Sequence, residues 1–167
     1  GKRQRIAHET LEIYAPLAER IGMRHLKEDL QDLAFAELYG DARDSIVKRL
    51  DFLREQGIAQ VEKIQNQIKK ILEEGNVKYL EVSGREKRPY SIWRKMQNKN
   101  IGFEQLSDII AFRVVVKDIP DCYQALGAIH SVYHTVPGNF KDYISTPKSN
   151  GYRSLHSVVM GPERQID

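Results

Sequence analysis

The stretch from Ile109 to Lys117, IIAFRVVVK, constrains the fold more than any other part of the chain. It is β-branched and nearly free of polar interruption, as a buried central strand requires. Pro120 then starts a helix carrying Cys122, Leu126 and Ile129, and Leu155 to Met160 reads as another strand. Upstream, Val77, Tyr79, Leu80 and Val82 suit a strand, after which Ser83-Gly84 reads as a turn into a basic segment. Pro89 opens a helix over Tyr90–Asn98, since proline is favoured in a first turn. Strands alternating with helices predict an α/β domain.

The first half has a different period. Ile6, Leu11, Ile13, Tyr14, Leu17 and Ile21, then Leu26, Leu30, Leu33, Phe35 and Leu38, recur at helical spacing over 5–38. Pro16 should kink that pattern. Asp44–Gln56 continues as an amphipathic helix with Gly57 as its stop, and Ile58–Glu74 makes a further apolar stripe ended by Gly75-Asn76. The change of period places a domain boundary near residue 76. The expected class is α+β, with a helical bundle segment over 1–76 and an α/β domain with a mixed sheet over 77–167.

Composition narrows the function classes. Among 167 residues no apolar run approaches the ~18 that a membrane span needs, and no signal-peptide core interrupts the charged start. One cysteine, Cys122, excludes an internal disulfide and fits a reducing cytoplasm. Residues 1–84 hold 14 Lys/Arg against 15 Asp/Glu, whereas 85–167 hold 12 against 8. The second half is therefore the side that attracts anions. The excess is small beside a duplex-binding stripe, which favours a compact anionic ligand over DNA.

Residues 139–156, NFKDYISTPKSNGYRSLH, bring Lys141, Lys148 and Arg153 beside Tyr143 and Tyr152, with Asn150, Ser154 and His156. Cations meet phosphate oxygens, a tyrosine face can stack on a base, and Gly151 lets backbone approach closely. Taken by residue type alone, a solvated basic loop explains the stretch equally well. Arg85, Lys87, Arg88, Arg94, Lys95 and Lys99 form a second basic set, in which Ser91 and Lys95 share a helix face suited to a triphosphate or simply to solvent. Asp108, at the threshold of the central strand, is placed either to hold Mg²⁺ or to cap the strand, with Arg113 five residues on. The five histidines show no metal spacing, and His130 and His134 read as packing groups of one helix. Neither GxxxxGK[ST] nor GxGxxG occurs.

Three segments in order, GREKRPYSIWRKM at 84–96, LSDIIAFRVVV at 106–116 and PGNFKDYISTPKSNGYRSLH at 137–156, resemble the synthetase domain of the RelA/SpoT family. ETLEIYAPLAERIGMRHLKEDLQDLAF at 9–35 is similar to the helices that close that family's hydrolase domain and lead into the synthetase. The resemblance implies a nucleotidyltransferase-like fold that moves the β,γ-pyrophosphate of ATP onto the ribose 3′-hydroxyl of GDP or GTP. By position, Arg85 would lie over adenine, with Lys87, Ser91 and Lys95 around the ATP phosphates. Asp108 would hold the catalytic Mg²⁺, and Arg113 and Lys141 would help with phosphate charge. Tyr152 would stack on guanine, Lys148, Asn150 and His156 would complete the acceptor pocket, and Tyr143 belongs to the same motif.

The resemblance also sets expectations about what lies outside the chain. The family's second acid, from a strand reading like ExQxR, is expected just beyond Asp167, and the hydrolase centre upstream of Gly1. The chain is then expected to be a weak catalyst by itself, and its parent a bifunctional, cytoplasmic enzyme regulated by further domains or by the ribosome. Asn139 stands where the family's RFKDY has arginine. The competing reading is a nucleotide- or RNA-binding regulatory module that uses the same residues without chemistry.

Overall fold

Asn76 ends one helix in a left-handed conformation (φ 54°), and the chain leaves helical periodicity there, as the sequence predicts. The structure is a computed structural model describing residues 1–56, 60–106, 109–161 and 165–167. The described chain divides into two compact units, one of 1–55 with 87–106, the other of 56–86 with 107–167. Compactness therefore partitions the chain differently from the change of period at residue 76, because the helix after Pro89 joins the first unit.

The first unit is helical. α1 (Lys2–Glu9), a π turn (Thr10–Tyr14) and α2 (Ala15–Arg20) run on without a break and pack on α3 (Arg24–Leu38). Pro16 has no N–H to give to a preceding turn, and the chain absorbs this by widening the turn before it, with the Ala15 amide bonded to the Thr10 carbonyl. The expected kink is thus a π turn. Gly22 (φ 78°) then closes α2, with the Met23 amide on the Ala18 carbonyl at 2.9 Å, so the long helical pattern over 5–38 is two helical runs.

α4 (Gly40–Glu55) and α6 (Pro89–Lys99) complete this unit, and α6 carries proline at its first turn as the sequence predicts. Phe35, fully buried, packs its ring against Tyr39, Tyr90 and Trp93 at centroid distances of 6.4, 5.6 and 5.2 Å. That aromatic group joins α3 to α6. The helix stop assigned to Gly57 and the first residue of the helix read from Ile58 lie outside the described residues.

The second unit holds α5 (Val61–Glu74), β1 (Glu81–Glu86), β2 (Ile110–Val115), α7 (Ile119–Val132) and four short strands. These are β3 (Lys141–Asp142), β4 (Leu155–His156), β5 (Val159–Met160) and β6 (Gln165–Ile166). β1 and β2 pair antiparallel, Arg85 opposite Ala111 and Ser83 opposite Arg113. The Phe112 amide bonds to the Asp167 carbonyl at 2.7 Å, and the Asp167 amide to the Ile110 carbonyl at 3.2 Å. Those two bonds flank Ala111 as in a parallel pair, so β6 continues the sheet beyond β2. β5 pairs antiparallel with β6 and, on its other edge, with residues 134–136. The described strands thus form three two-stranded antiparallel ladders, β1–β2, β3–β4 and β5–β6, and the two bonds at Asp167 join the first to the last, so that pairing of both senses meets at β2.

Three local expectations are corrected. Ser83 and Gly84 form no turn but lie within β1: a Cβ at Gly84 would run into the Phe112 ring and come within 3.0 Å of Val61 Cγ1, so glycine is there for close approach. His134 lies beyond the end of α7 and takes part in the sheet, where its carbonyl accepts from the Met160 amide at 2.8 Å. Leu155–Met160 is two short strands, because the chain changes partners from β3 to β6 between them.

Candidate functional site

The sheet register sorts side chains by face. Val82 is buried, the Val82 carbonyl accepts from Gln65 Nε2 of α5 at 2.9 Å, and Gly84 lies against Val61, so α5 covers the face of β1 that these residues occupy. Successive side chains alternate, so Ser83, Arg85, Ala111 and Arg113 occupy the opposite face. Both arginines are exposed. The parallel pairing with Ala111 puts Asp167 on that same face. Two guanidiniums and a carboxylate on one open sheet face can meet phosphate and metal-bound oxygen, respectively.

The β3–β4 ladder pairs Lys141 with His156 and Asp142 with Leu155, and the Tyr143 amide extends it to the Ser154 carbonyl at 2.8 Å. The loop between is built on Asp142. Its Oδ1 accepts from the amides of Ile144 (2.9 Å) and Ser145 (2.8 Å), and its Oδ2 from Ser145 Oγ (2.9 Å) and Tyr123 Oη of α7 (3.0 Å). The Ser145 amide, first among these donors, holds the Asp142 carboxyl below its ordinary range, with smaller help from the Ser145 hydroxyl, Ile144 and Tyr123. Farther along, Gly151 (φ 79°) closes a tight turn whose amide bonds to the Lys148 carbonyl at 2.9 Å. Asn150 Oδ1 accepts from the Tyr152 amide at 3.0 Å.

This scaffold gathers the predicted acceptor residues. Tyr143, Tyr152 and His156 meet edge to face, with centroids 6.2 Å (Tyr143–Tyr152), 5.2 Å (Tyr143–His156) and 5.9 Å (Tyr152–His156) apart. Lys148 Nζ stands 4.7 Å from the Tyr143 ring and 5.2 Å from the Tyr152 ring. Lys141 and Tyr152 are exposed. Asn150 is engaged with its own turn, which orients Tyr152. Sequence reasoning missed Asp142 and Tyr123 as the groups that shape this loop. The D-x-x-S spacing of Asp142 and Ser145 is the Asx-type signal that could have shown the first.

The predicted ATP-side residues fall in both units. Arg85 and Arg113 sit on the sheet face just described. Lys87 precedes α6, and Ser91 and Lys95 lie on α6 one turn apart, Ser91 exposed and Lys95 half-buried. Asp108 lies outside the described residues. Among the described residues no group of three or more His, Cys, Asp or Glu side chains is placed to hold a metal ion. Asp167 is of the hard-oxygen type that Mg²⁺ takes. No helix among the described residues is long and apolar enough to cross a membrane.

A mixed sheet with α5 against one face and an open cationic face opposite is the nucleotidyltransferase-like α/β class. Residues 84–166 match the family described as "Region found in RelA / SpoT proteins". Over 164 residues the chain is 49% identical to the GTP pyrophosphokinase rsh of Brucella melitensis, covering 98% of this chain and 22% of that protein. It is 46% identical over 161 residues to the bifunctional (p)ppGpp synthase/hydrolase SpoT of Escherichia coli K12, covering 96% and 23%. The crystal structure of small alarmone synthetase 1 from Bacillus subtilis matches with a TM-score of 0.57 at 26% identity, over 71% of this chain and 68% of that one. The same enzyme bound to its product pppGpp matches at 0.53 and 26%, over 72% and 73%. The chain belongs to the RelA/SpoT family. It spans about a fifth of the length of the curated relatives it matches.

Proposed function

We propose that the chain supplies the alarmone-synthetase part of a bifunctional synthetase–hydrolase, moving pyrophosphate from ATP to the 3′-hydroxyl of GDP or GTP. The observation that carries this reading is the Tyr143–Tyr152–His156 cluster with Lys148 beside it. An aromatic face next to ammonium groups suits a purine nucleotide, and it stands in the segment that matches the family. On this reading Tyr152 is the base platform, Lys141 and Lys148 meet phosphate oxygens, and His156 fixes the platform's hydroxyl. Residues 77–167 are the synthetase domain and 1–76 the helices leading into it.

Arg85, Lys87, Ser91, Lys95 and Arg113 serve ATP. Pyrophosphoryl transfer demands positioning and charge stabilisation more than covalent help, and cations of this kind supply both. Mg²⁺, held by Asp108, would neutralise charge on the transferring phosphates. Asp167 offers a further carboxylate on the face that carries Arg85 and Arg113. A cytoplasmic location and control by further domains or the ribosome go with this proposal.

The test uses the full parent protein with ATP, GDP and Mg²⁺. Guanosine tetraphosphate should form, and Asp108→Ala should abolish it while GDP still binds. Synthesis that survives Asp108→Ala would sink the metal assignment, and a folded parent that makes no product would sink the enzyme. A binding module without chemistry would instead show steeply salt-dependent RNA binding with little purine preference.

A further inference from the structure

Within the first unit one charged side chain is almost fully removed from water. Glu28 of α3 is 8% exposed. Its Oε1 accepts from Arg24 Nε at 3.1 Å, and its Oε2 lies 3.4 Å from Arg88 Nε. Arg88 also approaches Asp29 Oδ1 at 3.7 Å. A carboxylate buried this far is tolerated only when both oxygens are engaged, and removing a partner leaves an uncompensated charge. Arg24 and Arg88 together meet that requirement, one at each carboxylate oxygen.

What distinguishes the pair is where Arg88 stands. It is the N-cap of α6, in extended conformation (φ −65°, ψ 148°), and its carbonyl accepts the first helical bond, from the Ile92 amide at 3.1 Å. Lys87 is the residue before it, Ser91 is in the first turn after it, and Lys95 follows one turn later. Pro89 fixes the backbone angle between them. The opposite side of α6 is held by Tyr90 and Trp93 against Phe35, also on α3. Helix α3 therefore holds α6 by two separate grips, an aromatic one along its buried side and an ionic one at its N-cap.

We propose that Glu28 is a positioning residue for ATP, acting through Arg88. By anchoring the N-cap of α6 it sets where Lys87, Ser91 and Lys95 present their polar groups. This rests on the assignment of those three to ATP. Glu28 itself touches no nucleotide. The effect is expected at the α6 groups, since Arg24 and Arg88, which meet Glu28, lie within the first unit.

The test measures KM for ATP and for GDP separately in the full parent enzyme, together with direct ATP binding by calorimetry. Glu28→Gln keeps the shape and loses the charge; Arg88→Met keeps the stem and loses the donor. Each should raise the ATP KM roughly tenfold, as slight misplacement of a binding group does, with the GDP KM within about twofold. The double variant should raise the ATP KM by much less than the product of the two single effects, since the Glu28–Arg88 contact is already lost in each single variant. Should Glu28→Gln fail to fold, Arg88→Met, at a half-exposed side chain, carries the test alone. Equal rises for both nucleotides, or no change in a folded Arg88→Met enzyme, would overturn the proposal. Lys95→Ala run in parallel separates the two levels. If it weakens ATP binding while Arg88→Met does not, the positioning role alone falls; if it leaves ATP binding unchanged, the ATP assignment falls and the proposal with it.

Discussion

The hydroxyl of Tyr152 lies 3.0 Å from Nε2 of His156, and the two rings stand at 82° to one another. The contact fixes the rotation of an otherwise exposed aromatic ring. On the proposed reading of Tyr152 as a base platform, a ring held at both its backbone, through Asn150, and its hydroxyl, through His156, would lose little freedom on binding.

Tyr152→Ala should weaken GDP binding by about ten- to a hundredfold, the range expected for losing one base–aromatic stack. Tyr152→Phe keeps the face and loses the fixing bond, so its loss should be only a few-fold. Titration of GDP into the two variants checks the order, and equal losses would mean that the hydroxyl, not the face, matters.

Acid should reach the β3–β4 loop late. The Asp142 carboxyl is depressed in the folded chain by its four donors. Its contribution is therefore present above the unfolded value of about 3.9 and is lost as pH falls through the lower folded value. Amide shifts of Ile144 and Ser145, followed by NMR, should stay constant down through the ordinary carboxylate range and move only below it. Asp142→Asn should abolish that late transition, and a transition at or above the ordinary range would contradict the assignment.

Gly84→Ala should destabilise the second unit by about 1–3 kcal/mol, the usual cost of overpacking, because the new methyl meets the Phe112 ring. Phe112→Leu in the same chain should recover part of the loss. Urea denaturation of the single and double variants reads both numbers.

Phe35→Ala removes the ring shared by α3 and α6. A loss of about 3–5 kcal/mol is expected for a fully buried phenylalanine. Thermal unfolding monitored at Trp93, the only tryptophan, would report it directly, since that indole lies 5.2 Å from the lost ring.

Long periodic elements were legible in the sequence, and short ones defined by pairing were not. The strand at Ile110–Val115 and the helix opened by Pro89 announce themselves by residue type. Gly84 misled because glycine after serine reads as a turn, while its real reason is a ring on the neighbouring strand. Leu155–Met160 misled because two-residue strands are set by partners far along the chain. At the candidate site the residues offered to a ligand, such as Tyr152 and Lys148, carry visible motif chemistry. Asp142 and Tyr123, which shape the loop from within, are 19 residues apart and meet only once α7 is folded.

The π turn before Pro16 does more than relieve a missing donor. Along an unbroken α-helix the eight steps from Ala7 to Ala15 would leave the two about 80° apart around the axis, at 100° per residue. Absorbing one residue in the wide turn brings them to within about 20°. Ala7, Ala15 and Ala18 are all buried, so the turn acts as a one-residue phase correction that keeps a single small-residue seam against α3. Winding 10–14 into a regular α-helix without removing a residue would swing Ala15 and Ala18 out of that seam by about 100°, whereas deleting one residue there would restore regular bonding and leave the seam in place.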